Sequence, residues 1–344
     1  MDTKSKRVVL FGELLMRLET PGHKRFVQAE QFDIAYTGGE ANAGVALVNF
    51  GAEGFLLAAV PDNDVGLACV QQMRRFGLDT SFVQRRGPRL GTFFLETGVA
   101  QRPTKVIYDR AGSSFSLFKP GDVRWQELLA GKDWLHFTGT APALSDEVAA
   151  LTREGCVEAK KQGLTVSCDL NYRSALWSVD KACEVLQDLV KYVDVLIVNE
   201  EHAREILDVS VRDSERDLEC FDGRRYEGMS RSLRERYGLS HVGITVRSGE
   251  LADETSVAAF LDDGSQWHMS RRYDIRVVDR IGGGDAFAGG LIYALLENWK
   301  VERAVEFAVA AGCLKHSVPG DLGHMSRDEV FTLMREANAG RVQR

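Results

Sequence analysis

Six short runs, RVVLFG, FLLAAV, WLHFTG, LTVSCDL, VDVLIVN and HVGITV, are apolar throughout instead of alternating, and helical segments lie between them. A strand that is apolar on both faces must be covered on both faces, which points to a parallel sheet between two helical layers. NAGVALVNFG, EVAALTREGCVEAKKQG and KACEVLQDLVKYV are amphipathic at helical spacing and supply those layers. The expected class is therefore α/β with a mostly parallel central sheet. The 344 residues, 44% of them hydrophobic, suffice for one large domain over residues 1–344.

Two regions break this rhythm. Roughly residues 13–37 and 81–112 carry shorter, more polar strand-like pieces (FDIAYTG, GTFFLETG, TKVIYDRAG) with little helix between them. They are expected to form a small separate sheet, a lid. The charge-rich stretch from Val209 to Tyr237 reads as a solvated surface insertion, residues 209–230, leading into a helix.

A formal net charge of −7 argues against nucleic acid as the main partner. The six cysteines are scattered without a C-x-x-C pair, and Cys168 and Cys313 fit small core positions. The N-terminal apolar run is cut short by Glu13, so no signal peptide is expected, and no run is long enough to span a membrane. A cytoplasmic protein is the expectation.

Polar residues cluster where the strands end. Asp169, Asn171 and Arg173 close one, Asn199, Glu200 and Glu201 another, Arg247 and Ser248 a third. In open parallel sheets the ligand crevice lies outside the carboxyl ends of the strands, so the clusters should converge on one site. A fourth element joins them. In VVDRIGGGDAFAGGLIYALL, Gly282, Gly283 and Gly284 precede Asp285, and Phe287, Leu291, Ala294 and Leu295 then recur at helical spacing. A glycine-rich turn at a helix start presents free N–H groups at the positive end of the helix dipole, which is an anion site. Asp285 there would repel phosphate unless it takes a proton from an attacking hydroxyl, the logic of phosphoryl transfer.

The common nucleotide motifs are excluded. Gly39 to Gly44 has the glycine spacing of a Walker A loop, but Val45 and Ala46 stand where Lys and Ser/Thr belong. After Gly282 the only acid at dinucleotide-fold spacing is Glu302, within a helical segment.

DRIGGGDAF resembles the C-terminal signature D-T-x-G-A-G-D-x-F of the ribokinase-like (PfkB) carbohydrate kinases, and YTGGEANAGVALVNFG resembles their N-terminal Gly-Gly-x-x-x-N signature. The resemblance covers essentially the whole chain. It implies a three-layer ribokinase-like fold with a β-lid, ATP and Mg²⁺, and a homo-oligomer, since lids of this kind often pair between subunits. RLGTFFLETG, KVIYDRAGSS, HFTGTAPALSD, VSCDLNYRSALW and VNEE are similar to 2-keto-3-deoxygluconate kinases, which phosphorylate the 6-hydroxyl of 2-dehydro-3-deoxy-D-gluconate.

By that resemblance Asp285 is the base, and the backbone from Ile281 to Gly284 is the anion hole. Gly39, Glu40 and Asn42 line the sugar pocket, and Tyr108, Arg110 and Arg173 meet the acid sugar. Arginines suit a substrate carboxylate, which they can grip bidentately, although Arg110 and Arg173 also fit fold-holding ion pairs, Arg173 with Asp169. Asn199, Thr245, Arg247, Gly249 and the small residues Ala310 and Ala311 would meet the nucleotide, and close helix packing explains the alanines equally well.

Four positions depart from the family pattern. Gly283 replaces its Ala. His202 stands at the fourth position of N-x-x-E, leaving Glu200 and Glu201 to serve a metal through water. Phe93 stands at a lid position often held by Tyr. The nucleotide motif T-x-G-x-x-G is incomplete, although Gly249 survives. Other readings remain open: a fructokinase, ribokinase or related deoxy-keto acid kinase of the same fold, or a non-catalytic sugar-acid-binding protein. His316 and His324 are read as surface or packing residues.

Overall fold

The computed structural model describes residues 6–210, 222–249 and 251–335. Its first half runs β1 (Arg7–Phe11), β2 (Leu15–Glu19), β3 (Asp33–Thr37), α1 (Gly39–Phe50), β4 (Glu53–Leu57), β5 (Ala59–Val60), α2 (Asp64–Arg75), β6 (Gln84–Arg85), β7 (Gly91–Glu96), β8 (Lys105–Asp109). Next come α3 (Trp125–Leu129), β9 (Trp134–Thr138), α4 (Asp146–Lys161), β10 (Thr165–Asp169), α5 (Val179–Leu189), β11 (Val195–Asn199) and α6 (Glu200–Leu207). The last third holds α7 (Arg224–Tyr237), β12 (His241–Ser248), β13 (Glu254–Asp262), β14 (Trp267–Met269), β15 (Tyr273–Arg276), α8 (Gly283–Leu296), α9 (Val301–Lys315) and α10 (Arg327–Arg335).

Among the described residues the main sheet has nine strands in the order β14-β13-β12-β11-β10-β9-β1-β4, with β15 also on β13. From β4 across to β12 every pairing is parallel. The β13–β15 edge is antiparallel and was not among the six runs read as strands. The six runs all lie in strands. β9 is buried at all five positions, as an apolar strand covered on both faces must be.

The small sheet runs β3-β2-β7-β8 and combines strands from both predicted regions. One face packs Leu15, Phe93 and Leu95 together with Val106, Tyr108 and Ile281. Within the second region, β6 instead pairs with β5 as a two-stranded ribbon. Residues 211–221 of the expected insertion at 209–230 lie outside the described residues. The expected helix, α7, already begins at Arg224 within it and buries Arg225, Tyr226, Met229 and Ser230, contrary to the expected solvated surface.

Close helix approach sets the site. A Cβ on Gly289 of α8 would stand 2.6 Å from the carbonyl oxygen of Ala43 in α1, and one on Gly290 would stand 3.0 Å from the Cα of Ala308 in α9. Glycine at these positions lets α8 lie directly on both neighbours, so the N-termini of α1 and α8 meet at one end of the sheet.

The small sheet is tied to this end by charge. Arg17 of β2, 1% exposed, donates to Glu19 at 2.5 Å and Asp279 at 2.6 Å, and also pairs with Asp321. Removing a buried ion pair's cation leaves its carboxylates uncompensated, which costs about 3–5 kcal/mol. Arg17→Met is therefore expected to lose about that much stability in urea unfolding; a variant as stable as the wild type would show that the cluster does not hold the sheet in place.

Candidate active site

The carboxyl ends of β9 to β12, the glycine turn and the inner face of the small sheet enclose a cleft of about 830 Å³. That is ample for a sugar acid together with part of a nucleotide. Of the residues singled out in the sequence, Gly39, Asn42, Phe93, Tyr108, Arg110, Arg173, Asn199, Glu200, Glu201, Thr245, Arg247, Gly282, Gly284 and Asp285 line it.

Four others do not. Ala311 is fully buried between α8 and α9, its Cβ 3.3 Å from where one on Gly290 would stand. Close helix packing, the alternative to a nucleotide contact, describes its surroundings. Gly283 backs onto the His316 ring. Gly249 is left-handed (φ 147°) and lies beside Glu254 and Thr255. Glu40 is buried, and its carboxylate accepts from the Thr138 amide at 2.9 Å beneath Gly12. Burial pushes the Glu40 carboxyl up to about 7, against the pull of its hydrogen bonds and Arg110.

At the cleft floor, Gly282 (φ 85°) starts α8 with no side chain capping it, so the first-turn amides are free of side-chain acceptors. A Cβ on Gly282 would stand 2.0 Å from the carbonyl oxygen of Asp321, so only glycine fits. One turn in, Asp285 accepts from Asn42 Nδ2 at 2.7 Å. Asn42, expected to meet sugar hydroxyls, is engaged at both ends, since its Oδ1 faces the Thr37 hydroxyl at 2.9 Å. Burial raises the Asp285 carboxyl to about 7, reinforced by Asp169, Asp321 and Glu40 and opposed by the Asn42 amide. Asp169 likewise rises to about 6 through burial, with Arg173, the Asn171 amide and Arg247 pulling it down.

The arginines divide. Arg110 donates through Nε to Glu13 at 2.5 Å, and Glu13 also accepts from Ser113. Arg173 Nη1 donates to the Tyr172 carbonyl at 2.9 Å, with no ion-pair contact to Asp169. Arg247 is open to the cleft, yet the protein packed around its guanidinium, together with Arg280 and Arg173, lowers its pKa. Like charges held this close call for an anionic ligand between them.

Around the altered N-x-x-E, Asn199 caps α6 by accepting from the His202 amide at 2.7 Å. Burial and Arg173 push the His202 imidazole down to about 4, so it is neutral. Both Glu200 oxygens are held by Arg225 at 2.9–3.0 Å, whereas Glu201 is exposed on the cleft wall. Among the described residues no three His, Cys, Asp or Glu side chains group to hold a metal. The Glu201 carboxylate, open to the cleft, is the kind of ligand that suits Mg²⁺, which keeps several waters and takes one or two carboxylates plus substrate phosphates. Sequence reasoning missed Thr37, Asp321, Arg225 and Arg280 in the cleft wall; Thr37 and Arg280 lie inside the two signature stretches but at positions to which the resemblance assigns no role, and Asp321 and Arg225 belong to neither. His316, one of the two histidines expected at the surface or in packing, is buried against the turn.

The family model described as "pfkB family carbohydrate kinase" matches residues 5–222 and 255–325. The chain belongs to the PfkB carbohydrate kinases. It is 30% identical over 97% of its length to 98% of a Haloferax volcanii protein named 2-dehydro-3-deoxygalactonokinase. It is 31% identical to a 2-dehydro-3-deoxygluconokinase of Thermoproteus tenax, over 91% of this chain and 89% of that one. The crystal structure of a Thermotoga maritima 2-dehydro-3-deoxygluconokinase superposes with a TM-score of 0.92 at 39% identity, over 96% of this chain and 100% of that one. No helix among the described residues of this PfkB kinase is long and apolar enough to cross a membrane.

Gly282→Ala tests the turn. A left-handed non-glycine residue costs about 1–2 kcal/mol, and the Cβ at 2.0 Å from the Asp321 carbonyl forces the backbone apart. The variant is expected to stay folded by circular dichroism and lose most ATP turnover; wild-type kcat would show that the turn need not be this tight.

Proposed function

We propose that the protein transfers the terminal phosphoryl group of ATP to the 6-hydroxyl of 2-dehydro-3-deoxy-D-gluconate, with Asp285 as the base. The observation that carries this reading is a buried carboxylate with a raised pKa, held by Asn42 at an uncapped glycine-started helix inside an arginine-lined cleft. The named activities of the similar proteins support the same class of keto-deoxy sugar acid.

Each group then has a task. The attacking hydroxyl gives its proton to Asp285 as its oxygen bonds to the terminal phosphorus. The bond from that phosphorus to its bridging oxygen breaks, ADP leaves with the electron pair, and the free amides of the Gly282–Gly284 turn stabilise the charge of the transferring group. A pKa of about 7 suits that work, because such a group is ionised half the time at neutral pH and still holds a proton well. Arg173 and the unpaired edge of Arg110 meet the substrate carboxylate, with Tyr108 alongside and Phe93 closing the pocket apolarly. Thr245, Arg247 and Asn199 meet the nucleotide. Mg²⁺, when bound with ATP, supplies positive charge to the phosphates, and Glu201 is the carboxylate on the cleft wall open to it. The small sheet acts as a lid that excludes water as a competing acceptor.

Asp285→Asn is expected to cut kcat by roughly 10²–10⁴-fold with KM near the wild-type value. In the wild type, kcat/KM should climb with pH through about 7 and level off above, because the base must be ionised. The sign for stability is opposite. A carboxyl whose folded pKa stands above its ordinary 3.8 binds its proton more tightly folded than unfolded, so its contribution is lost as pH rises from about 4 to about 7. The Asn variant should therefore melt no lower than the wild type at pH 8. Unchanged kcat in that variant would remove Asp285 from the mechanism.

A further inference from the structure

Behind Asp285 lies a chain of side chains of which the mechanism above uses only Asn42. Asn42 Nδ2 is 2.7 Å from Asp285 Oδ2, the Thr37 hydroxyl is 2.9 Å from Asn42 Oδ1, and the same hydroxyl is 2.6 Å from Asp321 Oδ2. Thr37, Asn42 and Asp321 are 1%, 3% and 4% exposed, so bulk water does not complete their hydrogen bonds. A hydroxyl carries one proton, and here it faces two oxygens.

Only two arrangements satisfy every contact. In one, Asn42 turns its amide toward Asp285, Thr37 donates to Asn42 Oδ1, and Asp321 must carry a proton to donate to Thr37. In the other, Thr37 donates to an ionised Asp321, Asn42 turns over to donate to Thr37, and its Oδ1 then faces an Asp285 that must be protonated. The two carboxyls at the ends share one proton. The first arrangement leaves Asp285 ionised.

We propose that Thr37 is a positioning residue: through the orientation of Asn42 it fixes which end of the chain from Asp285 to Asp321 holds the shared proton, and so whether Asp285 is free to receive the proton of the attacking hydroxyl. The inference rests on Asp285 being the base of a kinase. Its surroundings fit a proton held at either end. Asp285 faces Asp169, Glu40 and Asp321 as like charges, with Arg247 and Lys315 opposing them. Asp321 faces Arg17 and Lys315 as cations and Asp279 as a like charge. Burial raises the carboxyls at both ends. Thr37 ends β3 and reaches the base through Asn42, while Arg17 of β2 joins the same chain through Asp321, so two strands of the small sheet connect to it.

The test compares Thr37→Val, which keeps the shape and removes the hydroxyl, with Thr37→Ser, which restores it. In Val the Asn42 amide is no longer fixed toward Asp285. The expected results are a kcat lower on the order of 10–100-fold, KM values near the wild type, and an acid limb of kcat/KM moved to higher pH. Ser should recover both rate and limb. A Val variant with the wild-type limb, or Ser as impaired as Val, would overturn the proposal. If Val fails to fold, Thr37→Ala reads the same limb, and a wild-type limb there overturns it equally. The wild-type assay separates the two levels: an active wild type with an unmoved limb in the variants removes only the role of Thr37, whereas a wild type without sugar-acid turnover removes both.

Discussion

The buried guanidinium of Arg17 is the tie on which the site's geometry depends. It joins β2 to Asp279, which leads into the glycine turn, and to Asp321, whose backbone lies against Gly282. Asp279 also accepts from the amides of Ile281 and Gly320, each at 2.9 Å, so one carboxylate secures both flanks. Lys315 Nζ lies beneath, 3.4 Å from the Asp279 carbonyl and 3.3 Å from that of Val318. Burying this many charges is costly, and it is tolerable only because nearly every lone pair and proton has a partner. Their effect here is to allow one position for the turn.

From that turn the chemistry follows by packing. Gly289 lets α8 rest on α1, which puts Asn42 within hydrogen-bond reach of Asp285. The same packing buries Asp285 and gathers Asp169, Asp321 and Glu40 around it, and burial first and those like charges second raise its pKa into the range a base needs. Across the cleft Arg280 and Arg173 both repel Arg247. One end of the cleft thus favours a proton and the other an anion.

Much of this was legible in the chain. Continuous apolar runs gave the parallel strands because burial on both faces leaves no room for alternation. The three glycines before Asp285 gave the helix start because only glycine tolerates that backbone. The β13–β15 edge escaped because β13 follows β12 with no helix between, which breaks the strand–helix alternation, and β14 and β15 span only three and four residues. Glu13 as the partner of Arg110 escaped because 97 residues separate them, and nothing local pairs two charges that only the fold brings together. Thr37 and Asp321 escaped for the same reason. Glu40 and Ala311, next to motif residues in the sequence, point into packing because helix periodicity turns neighbours away from each other. Glu200 engages Arg225, a residue of α7.

The most direct test of the account is ADP formation by the purified protein with ATP and Mg²⁺, comparing 2-dehydro-3-deoxygluconate and its galactonate epimer with gluconate, fructose and ribose. The account predicts turnover strongly favouring the two keto-deoxy acids. Turnover confined to fructose or ribose would contradict the carboxylate role of Arg110 and Arg173, and turnover with none of the five would contradict the kinase chemistry assigned to Asp285.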